Sequence, residues 1–168
     1  MDCKPPCPFS KCARMANKLF LLFNLGSERF AVSTEMITEI IPLLEVTPVP
    51  KSAPYICGLI NYRGETIPVI DALMLLYERP HHRKICTRII ILSHNESGCM
   101  TRVGLIVEKA NKTGIFATDQ IHEHNLTQQH APYLGKSMTD DEGEIQLIDM
   151  DRLIPQETRR LRTALVGS

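Results

Sequence analysis

The chain has 168 residues, of which 43% are hydrophobic, and its 19 basic residues balance its 19 acidic residues. This neutral balance gives no electrostatic reason to expect binding to nucleic acid or to an anionic membrane surface. The apolar runs, such as residues 19–23 and 89–92, have the length of strands and fall short of the about 18 residues of a membrane span. The N-terminus also lacks the apolar core of a signal peptide. We therefore expect a cytoplasmic protein with no direct membrane insertion.

Residues 1–17 are rich in cysteine and proline and show no hydrophobic periodicity, which predicts a disordered leader. Cys3, Cys7 and Cys12 are spaced C-x3-C-x4-C, without the paired C-x2-C of a structural zinc site. A small metal-binding or redox protein that uses this leader is the alternative from a different functional class. The other three cysteines lie in or beside apolar runs and are expected to be ordinary small buried side chains: Cys57, Cys86 and Cys99.

After the leader, residues 19–25 and 29–32 read as two strands that flank a turn at residues 26–28. A short helix is predicted next. Ser33 and Thr34 are suitable N-caps, and Pro42 ends the segment. The apolar residues Ile37, Ile40 and Ile41 would share one face of this helix. Prolines at positions 48, 50 and 54 keep the following segment extended.

The next segment predicts a β-hairpin that presents an arginine. Apolar runs at residues 56–60 and 66–70 flank a polar tip, and Gly64 can adopt the positive φ that closes such a turn. Arg63 is then displayed at the tip. Its planar fork of donors suits a carboxylate on the same chain or on a partner. A stiff hairpin with one displayed arginine favours recognition over catalysis.

The rest of the chain alternates short strands and turns, which indicates an all-β barrel architecture. Asp71 is expected to cap a short helix over residues 72–76, and Asp149 a second one that runs to Ile154. Polar loops are expected at residues 77–84 and 119–133, and strands at residues 87–93, 101–108, 113–118, 133–139 and 144–148.

No pattern of catalytic residues emerges from the sequence. Asp71 and Asp149 are better read as helix caps than as phosphoacceptors, because a receiver domain needs alternating α/β units that are absent here. The histidine pairs at positions 81–82 and 122–124 lack helical i, i+4 spacing and a third ligand nearby in the sequence, so they are expected to be solvated loop histidines. No nucleophile elbow, phosphate loop or dinucleotide motif occurs. We therefore expect a non-enzymatic protein with no cofactor and no metal site.

The hairpin segment resembles the central signature of the CheW-like coupling proteins of bacterial chemosensory arrays. The resemblance extends from about Leu19 to Ile154, with further similar segments at residues 23–32, 37–40, 103–108 and 143–149. The signature residues occur in the family's order: Pro54, Gly58, Asn61, Arg63, Gly64, Pro68 and Asp71.

This resemblance implies two small five-stranded SH3-like β-barrel subdomains packed together through a shared apolar core, with short helices. The CheW-like domain would cover residues 18–155, followed by a tail at residues 156–168 that can form a helix. The implied function is that of a scaffold without catalytic activity. It would couple the cytoplasmic hairpin of chemoreceptors to the regulatory domain of a CheA-like histidine kinase. A regulatory module of the same fold in a non-flagellar sensory pathway is a further alternative.

The resemblance also implies a partner-binding surface. In the family, a glutamate at the position of Glu39 neighbours the hairpin arginine, and an apolar groove beside the first helix holds a receptor helix. Tyr62 stands where the family usually has leucine, which places a large amphipathic ring beside the proposed contact. The expected partner-binding residues are Ile37, Glu39, Ile40, Asn61, Tyr62, Arg63 and Gly64.

Overall fold

The computed structural model describes residues 16–96, 98–124 and 131–154, and within them the chain is built mainly of strands. The first five strands are β1 (Asn17–Leu25), β2 (Glu28–Ser33), β3 (Ile37–Pro42), β4 (Ile56–Tyr62) and β5 (Glu65–Asp71). The helix α1 (Ala72–Tyr77) follows, and then β6 (Thr87–Glu96), β7 (Cys99–Ala117), β8 (His122–Glu123), β9 (Leu134–Asp140) and β10 (Gly143–Ile148). Residues 150–154 form a further short helix. The all-β prediction is confirmed. Residues 1–15 of the predicted leader and the tail at residues 156–168 lie outside the described residues, and β1 begins at Asn17, inside the predicted leader.

The strands form one continuous ten-stranded sheet with the order β3-β6-β7-β1-β2-β10-β9-β8, and the β4–β5 hairpin joins it where β5 pairs with β7. The long strand β7 serves both halves of the molecule, because it pairs with β6 and β5 at one end and with β1 at the other. The two SH3-like subdomains are therefore two halves that share β7. Among the described pairings, the sheet does not close into a complete barrel in either half.

Alternate residues of the shared strands face different apolar cores. On β6, Ile90 and Leu92 belong to a central cluster, whereas Ile89 and Ile91 belong to the core of the half that contains the hairpin. On β1, Phe23 lies in the central cluster and Phe20 in the core of the other half. This period of two is the one that a strand imposes on its side chains. The shared apolar core expected between the two halves is therefore present.

The prediction of a helix over residues 37–41 is wrong. Only Thr34–Met36 forms a 3-10 turn, and from Ile37 the chain is the edge strand β3, paired antiparallel with β6. β3 is rich in β-branched residues, which lose rotamer freedom in a helix and pack well on a pleated surface. Half-buried and exposed residues alternate along it. The expected stripe of Ile37, Ile40 and Ile41 is therefore split, and Ile40 is exposed while the other two are half-buried.

Two strands expected at residues 101–108 and 113–118 are a single strand, β7, which runs through the intervening polar residues. The break in periodicity has a local cause. Lys109 has φ of 51°, and the pairing of β7 with β1 changes register between Asn24–Glu108 and Leu22–Lys112. A bulge of this kind bends a strand without ending it. Among the described residues, no helix is long and apolar enough to cross a membrane.

Candidate functional site

The tip of the β4–β5 hairpin is a two-residue turn formed by Arg63 and Gly64. Both have positive φ, 51° and 83°, as a type I′ turn requires at its two central positions. The side-chain oxygen Oδ1 of Asn61 accepts a hydrogen bond of 2.9 Å from the backbone N–H of Gly64. Asn61 and Gly64 therefore set the shape of the turn, and this shape projects the Arg63 side chain outward.

Arg63 is tied to β3 through Glu39. Its Nη2 donates to Oε2 of Glu39 at 2.9 Å, and the Tyr62 hydroxyl donates to the same oxygen at 2.6 Å. The Arg63 guanidinium also lies 5.3 Å from the centre of the Tyr62 ring, within cation–π range. The expected Glu39–Arg63 pair is confirmed as a contact. Its glutamate comes from a strand, however, and not from the predicted helix.

Tyr62 links this exposed pair to the core. Its ring is 8% exposed and packs in the same apolar cluster as Ile60 and Ile67, with Ile41 of β3 against it. The hydrogen bond to Glu39 raises the pKa of Tyr62 above its usual value. A buried ring with a fixed hydroxyl holds Glu39 in place, and Glu39 in turn orients the arginine.

The tip carries exposed charge, and large apolar side chains are exposed on β3 and just beyond it. Glu65, on the far side of the turn, pairs with Arg102 of β7. Ile40 on β3 and Leu44 just beyond it are both large hydrophobic residues that remain exposed. Arg63 itself is 74% exposed in its side chain, and only one of its terminal nitrogens contacts Glu39. Because most of this side chain faces solvent, the remaining donors of its fork are accessible from outside the protein.

The base of the same hairpin holds a second charged cluster. Asp71 ends β5, and its Oδ1 accepts the N–H groups of Leu73 and Met74 at 3.0 and 3.2 Å, which confirms it as the N-cap of α1. Its Oδ2 accepts both the backbone N–H of His81 at 2.9 Å and the ring Nδ1 of His81 at 2.6 Å. The expectation that His81 is a solvated loop histidine is therefore wrong.

Charge is stabilised on both partners at this base. Burial alone raises the pKa of Asp71, but the hydrogen bonds from His81 and from the helix outweigh it and hold that pKa below 3.8. The hydrogen bond to Asp71 raises the pKa of His81 to about 9. Asp149 takes the corresponding position before the helix at residues 150–154, where its Oδ1 accepts from the Arg152 N–H at 3.4 Å.

Cys57 completes the cluster at the base, and sequence reasoning missed its position. It lies at an irregularity of β4, since Ile56 pairs with Ile70 and Gly58 already pairs with Val69. Gly58 has φ of 146° and lies against Thr47, where an added Cβ would come within 2.2 Å of the carbonyl oxygen. Only glycine therefore allows the proline-rich segment to pair with β4. The signature glycine was visible in the sequence, but the meeting of Cys57, Asp71 and His81 was not.

Comparison with known proteins matches the part of the chain that forms this fold. The family model described as CheW-like domain matches residues 19–158. The chain is 30% identical over 141 residues to the chemotaxis protein CheW of Bacillus subtilis, covering 84% of this chain and 79% of that protein. It is 24% identical to the chemotaxis protein CheW of Thermotoga maritima over 139 residues, which cover 82% of this chain and 88% of the relative.

A similar fold is found in a crystal structure. The scaffolding protein TtCheW from Thermoanaerobacter tengcongensis superposes with a TM-score of 0.70 at 23% sequence identity, covering 83% of this chain and 88% of that one. The similar fold, the extent of the family match and the sequence identity all lead to the same family assignment. The chain belongs to the CheW-like family.

Proposed function

We propose that this protein is a non-enzymatic cytoplasmic adaptor that couples chemoreceptors to a CheA-like histidine kinase in a chemosensory array. Membership of the CheW-like family supports the adaptor role, as do relatives named as chemotaxis proteins and a similar structure named as a scaffolding protein. One face would bind the cytoplasmic hairpin of the receptor and another the regulatory domain of the kinase.

The observation that carries this proposal is the Arg63 tip. A β-turn that holds an arginine outward, oriented by Glu39 and by the anchored Tyr62 hydroxyl, presents donors with little loss of side-chain freedom on binding. Ile40, exposed on the same strand that carries Glu39, would supply an apolar contact for an amphipathic receptor helix. We propose the full surface as Ile37, Glu39, Ile40, Asn61, Tyr62, Arg63 and Gly64, with Asn61 and Gly64 shaping the turn.

An adaptor transmits a signal only if its contacts differ between two states of the receptor. A tip fixed by Glu39 and Tyr62 suits this requirement, because a rigid surface passes on a movement of the receptor helix without absorbing it. The kinase would bind elsewhere on the sheet. Changes at the tip should then alter receptor binding without abolishing kinase binding.

The test is the affinity of the purified chain for a soluble fragment of the receptor hairpin and, separately, for the kinase regulatory domain. Both partners can be recovered by capture from lysate of the native organism. Arg63→Ala should weaken receptor binding about tenfold or more, equivalent to about 1.4 kcal/mol, as for an arginine central to an interface. Arg63→Lys should also weaken it, because a single ammonium cannot reproduce the planar fork.

Lys112→Ala provides a matched control. Lys112 and Glu142 form an exposed ion pair at 3.2 Å in the other half of the molecule, so the variant removes a comparable surface cation away from the tip. Receptor binding should be unchanged in this control, and kinase binding unchanged in all three variants. Normal receptor affinity in a folded Arg63→Ala protein would contradict the assignment of the tip.

A further inference from the structure

Three side chains with metal-binding atoms meet at the base of the hairpin, remote from the proposed receptor surface. Cys57 of β4, Asp71 at the end of β5 and His81 in the loop after α1 each offer one ligand atom, and these atoms all lie within 4.8 Å of one another. Arg63 is six residue steps along the extended hairpin from Cys57, a distance of about 20 Å at the usual rise per residue.

The fold holds each of the three donors in place before any ion arrives. Asp71 is buried and fixed on one oxygen by the first turn of α1. His81 is anchored by its own backbone N–H, which donates to the other oxygen of Asp71 at 2.9 Å. Cys57 is half-buried at the irregularity of β4, beside the Gly58 contact that fixes the local backbone. A site with ordered ligands loses little conformational entropy on binding.

We propose that Cys57, Asp71 and His81 form a three-ligand site for Zn²⁺ or a similar borderline divalent metal, with solvent in the fourth position. Sulfur, imidazole nitrogen and carboxylate oxygen are the ligands that zinc takes in proteins, whereas Mg²⁺ and Ca²⁺ take oxygen. Cys57 and His81 are both half-buried, which leaves the site open to solvent on one side.

Binding requires only a small rearrangement. Nδ1 of His81 now donates to Oδ2 of Asp71 at 2.6 Å. Tetrahedral zinc bonds of about 2.0 Å would set these two atoms about 3.3 Å apart. The metal replaces the proton between them, and this proton and the thiol proton of Cys57 are released to solvent. The ion would then join the loop after α1 to both strands of the hairpin.

The probe is Co²⁺ followed by Zn²⁺, added to the full-length chain under a non-thiol reductant. Cys3, Cys7 and Cys12 are first replaced by serine, so that leader thiols cannot bind the metal. We expect one equivalent of Co²⁺ to give thiolate-to-cobalt charge-transfer absorption that Zn²⁺ removes. Cys57→Ser should abolish this absorption. His81→Gln should weaken binding at least about tenfold, because removing a direct ligand costs at least as much affinity as removing an outer-shell partner.

Two neighbouring substitutions serve as matched controls. Cys86 is a second free cysteine among the described residues, and His82 is the exposed neighbour of His81. Cys86→Ser and His82→Gln should leave the absorption and the affinity unchanged. Zn²⁺ should raise the melting temperature of the parent, which is the chain without leader thiols, and of both controls. It should not raise that of Cys57→Ser or His81→Gln.

Three outcomes would overturn the proposal. The folded chain without leader thiols binds no cobalt, the charge-transfer absorption persists in Cys57→Ser, or cobalt binds only to the chain that keeps Cys3, Cys7 and Cys12. Each variant is checked by circular dichroism, and Asp71→Asn, which keeps an oxygen to cap α1, tests the third ligand without removing the cap.

Discussion

The two ends of the β4–β5 hairpin each carry a charged pair. The two pairs differ in burial and in the structural elements that they connect. At the tip, Arg63 and Glu39 lie 2.9 Å apart with side chains that are 74% and 38% exposed. At the base, His81 and Asp71 lie 2.6 Å apart with side chains that are 19% and 4% exposed. The tip joins one turn to one edge strand, whereas the base joins a strand end, a helix N-terminus and a loop.

This difference in burial separates two roles for the same kind of contact. Exposed ion pairs contribute little to stability because water screens them, so the tip pair serves mainly to orient Arg63. Breaking a buried pair leaves an uncompensated charge and costs much more. The hairpin is thus anchored at its base and displays Arg63 at the end where substitutions cost the fold least.

The largest expected effect is at the base. Asp71→Ala removes the cap of α1 and leaves His81 without its carboxylate, so we expect the free energy of unfolding to fall by about 3–5 kcal/mol. Urea unfolding in the presence of a chelator measures it. Asp71→Asn keeps a capping oxygen and should lose less. A loss below about 1 kcal/mol for Asp71→Ala would show that the base is no more important to stability than an exposed pair.

Much of the fold could be predicted from the sequence, because the strands are short, apolar and separated by clear turns. The helix at residues 37–41 was mispredicted because an apolar spacing of three and four also fits a strand in which an irregularity occurs, here between Ile37 and Glu39. The sequence predicts two strands in place of β7 because the bulge at Lys109 interrupts the apolar alternation. Both errors come from β-bulges, which shift the two-residue alternation of side chains along a strand although no turn residue marks their position in the sequence.

The two ends of the hairpin were also unequally predictable. The tip is local in sequence, since Asn61, Arg63 and Gly64 are neighbours whose turn chemistry is known. The base depends on tertiary structure, because Cys57, Asp71 and His81 are brought together only when β5 ends beside the irregularity in β4 and the loop returns after α1. No spacing rule identifies such a cluster, so the sequence predicts only a solvated loop histidine at position 81.

A smaller effect should appear in the pH dependence of the base. The pKa of His81 is raised in the folded state from 6.5 to about 9, so the folded protein holds this proton more tightly than the unfolded chain. The contribution is fully present below about pH 6.5 and is lost as the pH rises through about 9, with a limit of about 3 kcal/mol. The measurement is the difference in unfolding free energy between the parent and His81→Gln, with chelator, across this range. A difference that stays constant with pH would mean that His81 is neutral when folded.

The smallest stability effect is expected at the tip. Arg63→Ala removes an exposed pair and a cation–π contact but buries no charge, so the free energy of unfolding should change by less than about 1 kcal/mol. Alanine has a Cβ like arginine, so the positive φ of 51° costs both residues similarly. Glu39→Gln keeps an acceptor for the Tyr62 hydroxyl and should have an equally small effect.

Urea unfolding and receptor binding are measured on both variants, Arg63→Ala and Glu39→Gln. Together the two measurements test whether the tip and the base of the hairpin have different roles. Because Arg63 orients donors without supporting the core, Arg63→Ala should lose receptor affinity while remaining as stable as the parent. If it instead unfolds as readily as Asp71→Ala, the arginine holds the hairpin in place and the division between an anchoring base and a binding tip is wrong. Tyr62→Phe sharpens the result, because it keeps the buried ring and removes only the hydrogen bond to Glu39. A loss of receptor affinity in Tyr62→Phe, with Arg63 intact and stability lowered by only about 1 kcal/mol, would show that the orientation of the fork contributes to binding beyond its charge.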